Sequence, residues 1–104
     1  MASRIERIEQ MERCLDDSRN AIDRLEEAMN AYESVLGDYQ KLCAYYGSEQ
    51  WMKDFAADEA GKLPADLKRG VLSEDAVYDL ITDHHALAVR MLKTVVHVLE
   101  KQAL

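Results

Sequence analysis

The sequence predicts an all-α fold. The expected architecture is an elongated bundle: one very long N-terminal helix, a short middle helix, and a long C-terminal helix packed antiparallel on the first. Three observations predict it. The 104 residues contain only four glycines and one proline, too few to punctuate hairpins and loops. Apolar residues recur with a 3-4 alternation through two long runs. Between those runs, most of the glycine and the proline cluster in one short stretch.

The first run starts at Ser3. Ser3-x-x-Glu6 has the form of a capping box, in which the serine oxygen accepts from a backbone N–H otherwise left free. One apolar row follows at Ile8, Leu15, Ile22, Met29, Leu36 and Cys43. The other is Met11, Ser18, Leu25, Tyr32, Tyr39 and Tyr46. Gly47 is placed to end the run, which predicts a helix over residues 3–46, about 66 Å long. Gly37 marks a position where that helix could bend. Just before each residue of the first row stand Arg7, Cys14, Ala21, Ala28, Val35 and Leu42. The apolar stripe therefore widens towards Tyr46, as a helix does where it enters a multi-helix core.

Ser48 is the expected N-cap of a second helix over 48–60, with Trp51, Met52 and Phe55 on one side. Gly61 and Pro64 stop it. The linker 61–72 is expected to hold one helical turn closed by Gly70. Ser73 caps a third helix over 73–102. Leu72 before that cap and Val77 inside it have the spacing of a hydrophobic staple. The third helix carries Val77, Ile81, His84, Ala88, Met91, Val95 and Val98 along its main stripe. Residues 1–104 read as a single domain.

Lengths then suggest association. The third helix is long enough to cover roughly residues 18 to 46 of the first. Ile5, Ile8, Met11 and Leu15 are left over as an uncovered apolar stripe, the expected self-association surface of a homodimer or higher homo-oligomer. Fraying of that overhang, or bending back at Gly37, is the alternative.

The segment Tyr45-Tyr46-Gly47-Ser48-x-x-Trp51-x-x-Asp54-Phe55-x-x-Asp58-Glu59-x-Gly61-x-Leu63-Pro64-x-Asp66-Leu67-Lys68-Arg69-Gly70-Val71-Leu72-Ser73-Glu74-Asp75 resembles the signature of a family of small bacterial helical proteins, catalogued as a domain of unknown function. Arg7, Ile8, Met11 and Glu12 extend the resemblance into the first helix. It implies a bacterial origin and an all-helical fold, and it implies no activity, cofactor or catalytic residue.

The composition narrows function further. A net charge of -7 disfavours nucleic acid and anionic membrane surfaces as partners. No apolar run approaches the length of a membrane span, and the charged N-terminal segment lacks the apolar core of a secretion signal. Cys14 and Cys43 make no Cys-x-x-Cys pair, and about 44 Å separates them along one helix, so a reducing cytoplasm is expected. No hydrolase elbow, zinc-protease motif or phosphate loop is present, so the chain is expected to be non-catalytic and to need no cofactor.

The residues singled out for a partner or ligand are Trp51, Lys62, Lys68 and Arg69. The three cations form a basic spot in an acidic chain, suited to an anion. The structural alternative pairs them with Asp54, Asp58, Glu59 or Asp66 while Leu63, Leu67, Val71 and Leu72 plug the end of the bundle. His84 and His85 raise a metal reading, but helix neighbours point about 100° apart and cannot share an ion unaided. The expectation is a cytoplasmic interaction or scaffold protein. Its rival is an anion-binding or metal-binding protein centred on the linker and His84/His85.

Overall fold

The computed structural model describes residues 3–102. It contains three α-helices: α1 over Arg4–Tyr45, α2 over Glu49–Glu59 and α3 over Ala76–Lys101. A single 3-10 turn, Gly70–Leu72, precedes α3. No strand occurs among the described residues, and none of the helices is long and apolar enough to cross a membrane. The chain divides into two compact units, one ending at Tyr39 and one beginning at Gln40.

In the first unit, α1 starts where the capping box placed it. The Glu6 amide donates to Ser3 Oγ at 3.0 Å, which satisfies one of the N–H groups a helix start leaves open. The helix continues through Gly37 without interruption. Ile5, Ile8, Met11, Leu15, Ile22, Leu25 and Met29 are all exposed. Further along, Tyr32, Leu36 and Tyr39 are half-buried at the expected seam positions.

The second unit holds the punctuated corner. Gly47 and Gly61 end α1 and α2 with φ of 77° and 70°, a left-handed conformation that costs a side-chain-bearing residue about 1 kcal/mol. After α2 the bonding is that of a Schellman motif: the Lys62 amide donates to Ala57 O and the Gly61 amide to Asp58 O, both at 3.0 Å. At the other end of α2 the Trp51 amide donates to Ser48 Oγ at 3.1 Å, so Ser48 is its N-cap.

Two details of the linker differ from expectation. Gly70 opens a turn and does not close one: the Leu72 amide donates to Arg69 O and the Ser73 amide to Gly70 O. Its φ is not positive, so it lacks the conformation of a helix-ending glycine. A separate turn, closed by the Leu67 amide on Pro64 O, occupies the middle of the linker. The regular part of α3 also begins at Ala76, later than 73. Ser73 does supply a cap, accepting from the Ala76 amide at 3.1 Å. The Glu74 carbonyl, however, is taken by the Tyr46 hydroxyl at 2.9 Å. The helical ladder starts one residue on, with the Asp79 amide on Asp75 O.

The buried hydrophobic side chains among the described residues are Leu72 and Val77, at 6% and 3% exposure. These are the two members of the expected staple. Ile81, His84 and Met91 continue the same face of α3 as half-buried positions. Leu87, Leu92, Val95, Val96, Val98 and Leu99 are exposed.

Candidate functional site

The corner between the end of α1 and the start of α3 gathers most of the side-chain chemistry of the second unit. Trp51 is its centre. The indole stacks on Phe55, one α2 turn away, with ring centroids 5.2 Å apart and planes at 22°. Tyr46 meets it edge-on at 5.3 Å. Its Nε1–H donates to the Val71 carbonyl at 2.8 Å, which holds the 3-10 turn against α2. The Tyr46 bond to Glu74 O fixes the next stretch of backbone in the same way. Two aromatic side chains thus satisfy carbonyls of a connection that has few backbone partners of its own.

A second, polar group lies beside it. The Tyr45 hydroxyl donates to Asp54 Oδ2 at 2.6 Å, and Gln50 Nε2 donates to Asp54 Oδ1 at 2.9 Å. The bond from Tyr45 holds the Asp54 carboxyl below the usual carboxylate range, with Gln50 adding to the effect. The same bond, with a smaller contribution from burial, raises the Tyr45 phenol. Both groups are pushed away from neutrality, so neither is poised to exchange a proton near pH 7. Tyr45 and Asp54 border a shallow cleft of about 300 Å³, lined also by Leu63, Leu67, Val71, Leu72, Lys68 and Arg69.

Of the residues expected to bind a partner or ligand, Trp51 is half-buried with its indole N–H engaged internally. Arg69 is also committed: its Nη1 lies 2.7 Å from Asp58 Oδ1, the pairing that the structural alternative for the linker required. Lys62 and Lys68 are exposed. The basic spot is therefore two solvent-facing lysines beside one neutralised arginine. Leu63 is half-buried and Leu72 buried, while Leu67 and Val71 stay exposed. His84 is half-buried and His85 exposed. Among the described residues no group of three or more His, Cys, Asp or Glu is placed to hold a metal ion. The self-association candidates Ile5, Ile8, Met11 and Leu15 all lie exposed on α1, in the first unit.

The Tyr45–Asp54 and Trp51–Val71 contacts had no sequence signal beyond the presence of the residues. They join positions 9 and 20 apart, which belong to no helical period.

The family described as a domain of unknown function, DUF4298, matches residues 8–94. The chain belongs to this family. The DUF4298 match takes in α1 from Ile8, the whole Trp51 corner, and α3 as far as Thr94. Neither curated proteins nor solved structures gave a match.

Proposed function

We propose that the chain is a non-catalytic cytoplasmic interaction or scaffold protein that works as a homo-oligomer. One observation carries the reading. Ile5, Ile8, Met11 and Leu15 form a continuous row on α1, and each is between 52% and 69% exposed. A row of large apolar side chains at seam spacing costs free energy in water and is stabilised when a partner covers it. The free thiols of Cys14 and Cys43 suit a reducing compartment. Residues 1–104 would act as one functional domain, with the Trp51 corner as a structural closure and Lys62 and Lys68 as its solvent-facing rim.

Light scattering coupled to size exclusion tests this at micromolar concentration. The expected mass is that of two or more chains, falling to one chain in Ile8→Lys with helix content unchanged. A mass of one chain for the unmodified protein overturns the proposal.

A further inference from the structure

We infer that α1 pairs with α1 of a second copy in parallel and in register over residues 7–29, and that an ion pair between Arg7 and Glu12 of the partner subunit selects that alignment. The inference rests on the homo-oligomer proposed above and adds its orientation.

The heptad frame follows from the exposed row. Ile8, Leu15, Ile22 and Met29 occupy the first core position, a; Met11, Ser18 and Leu25 occupy the second, d. The positions flanking the seam are then Arg7, Cys14, Ala21 and Ala28 on one side, g, and Glu12, Arg19 and Glu26 on the other, e. In a parallel two-stranded coil, each g residue lies against the e residue five positions later in the partner. Arg7 meets Glu12 of the partner subunit, twice by symmetry. The next pairs set Cys14 against arginine and Ala21 against glutamate, so no like charges face each other.

Both charges are otherwise idle. The helical neighbours of Arg7 at three and four residues are Ser3, Arg4, Gln10 and Met11. Those of Glu12 are Ile8, Glu9, Leu15 and Asp16. Neither set contains an opposite charge, and among the described residues neither side chain makes an ion pair. Arg13, by contrast, has Glu9, Asp16 and Asp17 within reach on its own helix. Both Arg7 and Glu12 border the apolar row.

An antiparallel pairing of the same segment sets g against g and e against e. In the alignment that matches Met11 with Ile22, Arg7 would then face Ala28. Glu12 would depend on Arg19, whose Nε and Nη2 are both bonded to Asp23 Oδ1 within the helix, at 3.1 and 2.8 Å. Core composition agrees. Ile8 and Ile22 are β-branched at a, the choice that favours two strands over three or four in a parallel coil. Only the in-register alignment places Ser18 against Ser18 of the partner subunit, so that two hydroxyls meet in one polar layer. Arg4, at the preceding d position, marks where the seam ends.

Two measurements on the full chain test the orientation. In a Cys14→Ser, Cys43→Ala background, Met11→Cys is oxidised with glutathione disulfide. The expected product on a non-reducing gel is a dimer crosslinked through the two introduced thiols, because parallel d positions adjoin. In the antiparallel alignment that matches Met11 with Ile22, the two substituted positions lie about 16 Å apart along the axis. Separately, Arg7→Glu and Glu12→Arg each weaken dimerisation by about 5- to 30-fold at low salt, and the double swap restores it to within about 3-fold. A dimer with neither the crosslink nor the rescue overturns the orientation alone. A monomeric parent chain overturns the orientation and the oligomer together.

Discussion

Residues 4–39 and the corner at 45–77 follow opposite physics. The first region is a helix whose large apolar side chains from Ile5 to Met29 are exposed. Local terms act along it: a serine cap, a run of backbone bonds, and the Arg19–Asp23 pair on its surface. The corner has little regular structure between α2 and α3, yet among the described residues it contains both buried apolar side chains, and it holds contacts that span sequence. Its backbone is tied by the Trp51 and Tyr46 donors to carbonyls 20 and 28 residues away. Periodicity built the first region and left its apolar face open. Specific residues built the corner and closed it.

Matched substitutions probe that contrast most strongly. Val77→Asp buries a carboxylate without a partner and is expected to cost roughly 3 kcal/mol or more in urea denaturation. Ile8→Asp in the first region is expected to change monomer stability by less than about 0.5 kcal/mol. Comparable losses at the two sites would erase the distinction.

A smaller effect is expected from Trp51→Phe. It keeps a ring for Phe55 but leaves the Val71 carbonyl without its donor, for a loss of about 1–2 kcal/mol. The glycines then sharpen the comparison by sign. Gly61→Ala forces a methyl-bearing residue into a left-handed conformation at φ 70°, and is expected to cost about 1 kcal/mol. Gly37→Ala lies in a regular helix with nothing within 4 Å of the added carbon, and is expected to stabilise by up to about 1 kcal/mol. Thermal melts by circular dichroism resolve both signs.

The smallest expected effect is a pH dependence. Asp54 is held below its ordinary value by Tyr45 and Gln50, so its contribution is present above about pH 4 and lost as pH falls through the lowered value. Tyr45 is raised by the same bond, so its contribution is present below about pH 10 and lost as pH rises through the raised value. The stability difference between the parent and Tyr45→Phe should therefore be widest between those limits and shrink outside them. A difference independent of pH from about 3 to about 11 would assign the pair no role.

Much of the fold was legible because short-range rules wrote it. Ser3, Ser48 and Ser73 each accept the expected amide. Gly47 and Gly61 take the expected left-handed turns. Leu72 and Val77, spaced as a staple, are both buried. The delayed start of α3 was not legible, since it depends on a hydroxyl from Tyr46 claiming the Glu74 carbonyl. The fate of the linker cations was half legible. Their acidic neighbours were evident, but the selection of Asp58 by Arg69 requires the path of the chain between them.

Trp51 is the only tryptophan in the chain, and it sits where the corner closes. Its emission therefore reports on that corner alone, with Tyr46 close enough to pass it excitation. The far-ultraviolet signal comes mostly from the two long helices. One molecule thus carries two unlabelled reporters. If fluorescence and ellipticity melt at different temperatures, the protein loses its fastened joint and its helices as separate events.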